Sequence, residues 1–101
     1  MKEDLEKIID YHGVRAQTTI WIEELSELIK EICKWQRNYD EWEGDLPQEN
    51  FDNITKEMCD VENIVEQMKI VLGNNDLVQQ ERCLKNKKVL EGINKNESKE
   101  I

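Results

Sequence analysis

The chain has 101 residues and a formal net charge of −9 at pH 7, and 37% of its residues are charged. This length suits one small domain, and the excess of acid argues against a protein that grips a nucleic-acid backbone with lysine and arginine. A hydrophobic content of 38%, with one Pro and four Gly, is typical of long amphipathic helices whose core is completed by a partner subunit.

The sequence carries no apolar run long enough to cross a bilayer, and residues 1–6 lack the basic-then-apolar order of a signal peptide. We therefore expect a cytoplasmic protein without a membrane partner. Cys33, Cys59 and Cys83 lie far apart and form neither a Cys-x-x-Cys pair nor a Cys/His zinc pattern. Each cysteine is expected to be a small, reduced core residue.

The first two predicted helices are separated by Gly13. Helix one covers residues 3–11, where three apolar side chains share one face. Helix two covers residues 14–37, in which large apolar residues recur at helical rather than strand intervals. Those residues are Ile20, Ile22, Leu25, Leu28, Ile29, Ile32 and Trp35, with Trp21 beside them.

A polar stretch over residues 38–46 breaks this pattern and is predicted to be a loop. Two starts for the third helix fit the residues that follow. Asp45 and Gln48 would form a capping pair around a proline, whereas Asp52 or Asn53 would cap a helix that begins later. The residues alone leave both starts open.

Helix three is expected to end at Gly73, which two asparagines follow, and helix four to cover residues 76–91. Residues 94–101 are polar and are expected to form a frayed tail. Because no segment has the pattern of a strand, the predicted fold class is all-α, a bundle of four helices in one domain over residues 1–93.

Two pairs of acids interrupt this pattern. Glu24 and Glu27 lie three residues apart on helix two, as do Glu57 and Asp60 on helix three, so each pair is adjacent on its helix. Glu57 and Asp60 interrupt an apolar stripe, and Glu24 and Glu27 belong to a row that continues to Glu31. If helices two and three pack antiparallel, the four carboxylates of these pairs meet at a partly buried junction.

Unpaired carboxylates at such a junction would repel one another and resist desolvation, so they would take up protons or bind cations. Ligands that are all oxygen favour a hard cation, Mg²⁺ or Mn²⁺, over zinc. Acids elsewhere on a helix are usually solvated surface groups. We expect this ordinary role for Glu23, Glu31, Glu62 and Glu66.

The motif Glu-Glu-x-x-Glu at residues 23–27, followed by Glu-x-x-Asp at residues 57–60, resembles the signature of the MazG-like all-α nucleoside triphosphate pyrophosphohydrolases. Dimeric dUTPases and dCTP pyrophosphatases are among the relatives of that family. The resemblance covers about residues 11–93. It implies a four-helix bundle that forms a homodimer or homotetramer, and Mg²⁺-dependent hydrolysis of a (deoxy)nucleoside triphosphate to the monophosphate and pyrophosphate.

The resemblance also implies roles for the motif residues. Glu24, Glu27, Glu57 and Asp60 would be the metal ligands, and Glu24 or Glu27 would orient or deprotonate the attacking water. Glu23 matches the motif as well, and a metal contact, water orientation or a salt bridge are all open roles for it. The motif serves phosphates and metal, which all nucleotides share, so it implies no particular base.

Three further residues are candidate substrate contacts. Lys85 and Lys88 are similar to a late basic pair in the family and would bind phosphate as point charges, although two solvated lysines would look the same. Gln17 is expected to face the site. The aromatic residues that either stack on a base or pack against the bundle or a partner subunit are Trp35, Tyr39 and Trp42.

Two other functions can be weighed against hydrolysis. A helical interaction or regulatory protein with a purely structural cation site would carry the same acids. A di-iron carboxylate bundle would need Glu-x-x-His pairs. The single histidine, His12, lies outside any such pair, so we discount the di-iron site and keep the interaction protein as the alternative.

Overall fold

The computed structural model describes residues 1–38 and 46–100, with side chains described up to residue 96. Within these residues the chain is all-helical and has no strand. The four helices are α1 (Lys2–His12), α2 (Val14–Asn38), α3 (Gln48–Leu72) and α4 (Asn75–Glu100). The prediction of an all-α chain with four helices is therefore confirmed for the described part. Asp45, Tyr39 and Trp42 lie outside it.

The chain divides into two compact units, Met1–Val71 with α1, α2 and α3, and Leu72–Ile101 with α4. The predicted domain over 1–93 thus spans one unit and much of the other. The predicted end of helix four is wrong by about nine residues, because α4 continues to Glu100. Beyond Gly92 the sequence holds neither glycine nor proline, so nothing local stops the helix.

Glycines with positive φ end two of the helices. Gly13, with φ 87°, follows α1 and donates its N–H to the Ile9 carbonyl at 2.8 Å, and Gly73, with φ 63°, follows α3. Residues with a Cβ rarely adopt this conformation. Both predicted boundaries are confirmed. At the start of α3, the Phe51 N–H bonds the Pro47 carbonyl at 3.1 Å, so the earlier of the two predicted starts is the one observed.

Helices α2 and α3 pack antiparallel, the arrangement under which the two pairs of acids were expected to meet, and polar side chains join them. Gln67 Oε1 accepts hydrogen bonds from Gln17 Nε2 at 2.9 Å and from Trp21 Nε1 at 2.7 Å. Further along, Glu24 bonds the side chain of Asp60, so positions rise along one helix as they fall along the other. The face of α2 turned inward repeats every three or four residues and consists of Gln17, Trp21, Glu24, Leu28 and Glu31, here called the inner stripe.

A second row of large apolar side chains on α2 stays in solvent. The exposed fraction is 65% for Ile22 and 61% for Ile29. The apolar positions that the sequence grouped together are thus divided between two faces. We call the exposed row the outer stripe; its members are Ile22, Leu25, Ile29 and Ile32.

The hydrophobic core of the described residues is small and lies within the first unit. None of its large side chains is fully buried. Its apolar members are Leu5, Ile9, Trp21, Ile54 and Ile64. Along α4, none of the side chains described over residues 75–96 is buried. A core of this size gives a small domain only modest stability.

The three cysteines depart from expectation in one respect. Cys33, Cys59 and Cys83 are free thiols, but all three are exposed, so the prediction that they are core residues is wrong. None of the described helices combines the length and the apolar character needed to cross a membrane.

Candidate metal centre

Three carboxylates meet where α2 and α3 pack. Glu24, Glu57 and Asp60 each offer one oxygen, and these oxygens all lie within 4.8 Å of one another. We call these residues the acidic triad. Glu57 and Asp60 sit side by side because they are three residues apart on α3, and the antiparallel packing brings Glu24 across from them. Glu24 and Glu57 are half-buried.

The surroundings of Glu24 and Glu57 disfavour the ionised forms of these two carboxyl groups. Burial raises the pKa of Glu24, and the hydrogen bond with Asp60 and the negative charges of Asp60, Glu57 and Glu27 raise it further. Burial also raises the pKa of Glu57, with smaller contributions from neighbouring acids, while the positive charge of Lys56 lowers it. Carboxylates that resist ionisation in this way are stabilised either by taking up a proton or by binding a cation.

Of the four predicted ligands, the structure brings three together. Glu27 is exposed and does not belong to the group within 4.8 Å, although its charge acts on both Glu24 and Glu57. It therefore lies beside the triad rather than within it. Glu23, the fifth acid of the motif, is exposed.

Glu31 is the acid that sequence reasoning missed. It was expected to be solvated, yet it is only 7% exposed, so that prediction is wrong. Its Oε1 accepts a hydrogen bond from Lys34 Nζ at 3.2 Å, while its Oε2 is buried without a partner among the described residues. The available signal was spacing, because Glu31 follows Glu24 by seven residues and so continues the inner stripe. Glu62 and Glu66 are exposed, as expected.

The candidate substrate contacts lie in different surroundings. Gln17 is 3% exposed and is held between α2 and α3 by its bond to Gln67. Lys85 and Lys88 lie on α4, in the second unit, where both are exposed and one turn apart. Trp35 is exposed near the end of α2.

The donor set of the triad suits a hard divalent cation. All three donors are carboxylate oxygens, and Glu57 Oε2 is buried with no hydrogen-bond partner in the described chain. Such oxygens are the ligands of Mg²⁺ and Mn²⁺, which often keep several waters and need only one or two protein carboxylates. A divalent cation would replace the repulsion within the triad by attraction.

Comparison with protein-family models, with curated proteins and with solved structures finds no match to this chain. The resemblance to MazG-like proteins, which depends on the acids at 23–27 and 57–60, therefore stays a prediction.

Proposed function

We propose that this chain is a Mg²⁺-dependent nucleotide pyrophosphohydrolase of the MazG-like type. It would cleave a (deoxy)nucleoside triphosphate to the monophosphate and pyrophosphate, with Mn²⁺ able to replace Mg²⁺. The observation that supports this proposal most is the acidic triad, in which Glu24, Glu57 and Asp60 converge from two helices within 4.8 Å. Glu57 and Asp60 belong to the Glu-x-x-Asp part of the motif, and Glu24 belongs to the Glu-Glu-x-x-Glu part.

The residues of the site have different proposed roles in cation binding and in activation of water. Glu24, Glu57 and Asp60 would hold the cation, which when bound supplies positive charge for the phosphates and makes a water molecule more acidic. In this proposal Glu27, which is exposed, would orient that water and accept its proton, and Glu24 is the alternative base. The attack would fall on the α-phosphorus, with pyrophosphate as the leaving group.

Two lysines of α4 are the proposed contacts with substrate phosphate. Lys85 and Lys88 are exposed lysines one turn apart, and in this proposal they bind phosphate oxygens as point charges. For Gln17 we assign a structural role, because its side chain is buried against Gln67 rather than open to a ligand.

The proposed protein is a cytoplasmic homodimer or homotetramer. Two features support self-association: the small core and the outer stripe of α2, whose Ile22 and Ile29 remain 65% and 61% exposed. Chains of this size commonly gain stability by oligomerising when their own core is insufficient. A second copy of the chain is the proposed occupant of the outer stripe.

The outer stripe also favours a second candidate function. A helical interaction or regulatory protein would use that exposed apolar face for its partner and the acidic triad as a structural cation site only. Under this alternative, Mg²⁺ raises the melting temperature of the protein, and nucleoside triphosphates add no further shift.

The deciding experiment measures pyrophosphate release from a panel of canonical and modified nucleoside triphosphates with Mg²⁺ present. We expect turnover of at least one nucleotide, and none in the presence of a chelator. Replacing a carboxylate of the triad with its amide, as in Glu57→Gln, is expected to lower the rate by more than about 100-fold, because even the residues that support metal ligands are commonly worth 10- to 100-fold.

The matched control is Glu62→Gln, which makes the same chemical change on an exposed face of α3. This variant is expected to keep the wild-type rate. Absence of pyrophosphate release across the panel, or equal rates for Glu57→Gln and wild type, would contradict the proposed hydrolysis. A melting temperature that rises with Mg²⁺ but ignores nucleotides would then favour the interaction protein.

A further inference from the structure

Two buried carboxylate oxygens, one in the acidic triad and one outside it, have no hydrogen-bond partner in the described chain. Glu31 Oε2 and Glu57 Oε2 are both buried, and neither has a hydrogen-bond partner among the residues that the structure describes. The side chain of Glu31 is 9% exposed, so more than nine-tenths of it is out of water. A buried carboxylate oxygen without a partner is costly, and two of them in one interface require a compensating group.

The packing places these two residues near each other. Glu31 lies seven residues, about two turns, beyond Glu24 on the inner stripe of α2. Because α2 and α3 are antiparallel and Glu24 bonds Asp60, moving on along α2 corresponds to moving back along α3. Glu57 is one turn back from Asp60, in the direction of Glu31. The negative charge of Glu31 accordingly contributes to the raised pKa of Glu57.

The positive charge of Lys34 does not fully compensate the negative charge of Glu31. Lys34 Nζ lies 3.2 Å from Glu31 Oε1, which leaves Oε2 as it was, and the Lys34 side chain is 39% exposed. The neighbouring acids Glu27 and Asp60 add further negative charge around Glu57. Two means of compensation remain, a shared proton or a cation, and a divalent cation can be held by two carboxylates with water completing its shell.

We propose that Glu31 and Glu57 form a second divalent-cation subsite beside the acidic triad, with Glu57 belonging to both subsites. This inference rests on the proposed function, since it takes the triad to be a cation site. Under this inference Glu31, which lies outside the motif, is a further metal ligand. The cation that it holds would contact the phosphates of the triphosphate, which gives the buried position of Glu31 a role.

The experiment counts Mn²⁺ bound per chain, using the electron paramagnetic resonance signal of free Mn²⁺ in a titration without nucleotide. Wild type is expected to bind about two Mn²⁺, and Glu31→Gln about one. Glu24→Gln is expected to lose the triad ion and keep the second. Glu62→Gln, an exposed acid on α3, serves as the matched control and is expected to bind two.

Binding of a single Mn²⁺ by wild type, or of two by Glu31→Gln, would overturn the inference and favour a shared proton between Glu31 and Glu57. Should Glu31→Gln fail to show a helical circular dichroism spectrum, Glu31→Asp takes its place. The shorter acid is expected to weaken one of the two Mn²⁺ sites by about tenfold or more, and two unchanged affinities would count against the subsite.

Failure of the inference can be told apart from failure of the proposed function. One Mn²⁺ per chain together with Mg²⁺-dependent pyrophosphate release removes the second subsite and leaves the hydrolase. Two Mn²⁺ per wild-type chain, reduced to one in Glu31→Gln, without pyrophosphate release supports the subsite and removes the hydrolase. A chain that binds no Mn²⁺ contradicts both.

Discussion

Gln67 is a polar residue at the centre of the packing between α2 and α3. Its Oε1 accepts hydrogen bonds from Gln17 and Trp21, and the Gln67 residue is 5% exposed. An acceptor that serves two buried donors fixes the rotation of α2 against α3. That rotation determines which side chains of α2 turn inward, so Gln67 helps to bring Glu24 to the acidic triad.

Replacing Gln67 by methionine is expected to lower the free energy of unfolding by about 2 kcal/mol or more. The change preserves the approximate size of the side chain but leaves two buried N–H donors without an acceptor, and each such loss typically costs about 1–3 kcal/mol. Urea denaturation followed by circular dichroism measures the effect. Gln36→Met, at an exposed position of α2, is the control and should change stability little.

Glu57 gives a pH-dependent prediction for the chain without divalent cation. Its folded-state pKa is raised above the ordinary value of 4.5, chiefly by burial. Its contribution to stability is therefore fully present below pH 4.5 and is lost as the pH rises through the raised pKa. In chelator, Glu57→Gln should thus gain stability relative to wild type as the pH is raised from acidic to alkaline values.

Thermal unfolding of wild type and Glu57→Gln across this pH range tests that sign. Glu62→Gln, whose carboxylate is exposed, should follow wild type at each pH. A difference between Glu57→Gln and wild type that is constant with pH would show that Glu57 titrates alike in the folded and unfolded chain. Added Mg²⁺ should reverse the order at alkaline pH by stabilising wild type alone.

Individual site residues could be predicted from the sequence where their helical spacing and their chemical type pointed to the same role. Glu57 and Asp60 could be found because they interrupt an apolar stripe, and Glu24 because it belongs to an acidic row on the facing helix. Glu31 was missed because an acid on a charged helix is usually solvated, and only its distance of seven residues from Glu24 indicated otherwise. The hydrogen bonds of Gln67 depend on how two helices are rotated, which a single sequence does not specify.

At the scale of single helices, local signals predicted the boundaries that glycines mark. Gly13 and Gly73 end α1 and α3 with positive φ. The end of α4 was misplaced because no equivalent stop follows Gly92. For α2 the apolar spacing identified the helix but not its inward face, since two faces carry large apolar residues and Trp21, Gln17 and Gln67 decide between them.

Gly73 gives a prediction about helix ends. Its φ of 63° is strained for residues with a Cβ, although nothing lies within 4 Å of where that Cβ would be. Gly73→Ala should therefore lower the melting temperature through backbone strain, at a cost of about 1 kcal/mol. Gly92→Ala, at a helical position that is equally open, should raise helix stability by about 0.5–1 kcal/mol.

Opposite effects for the same chemical change would separate backbone strain from any general effect of an added methyl group. Circular dichroism at the helix minimum, recorded during heating, measures both variants. A gain in melting temperature for Gly73→Ala would contradict the role given to its positive φ.

For the whole molecule, the outer stripe leads to a prediction of oligomeric state. We expect sedimentation of the full chain at micromolar concentration to show a dimer or tetramer. Ile29→Lys places a charge in the middle of the stripe and should shift the chain toward monomer, because burying an unpaired ammonium is costly. The control is Ala16→Lys, which adds the same charge at an exposed position of α2 away from the stripe.

A monomer at all concentrations, or an oligomer that Ile29→Lys and Ala16→Lys affect equally, would contradict the role of the outer stripe. Comparing pyrophosphate release by the monomeric variant and by wild type then shows whether the site works within one chain. Loss of activity with the triad intact would indicate that a second copy completes the substrate pocket.

The buried position of Trp21 makes its fluorescence a probe of the packing between α2 and α3. Its indole is 8% exposed and donates to Gln67, and it lies one turn before Glu24 on the inner stripe. An indole shielded from water emits at shorter wavelength than one in solvent. A chain in which Trp35 and Trp42 are changed to phenylalanine would carry a single tryptophan, one turn from Glu24 of the acidic triad. Its emission would report rearrangement of that junction in real time, without any label attached to the protein.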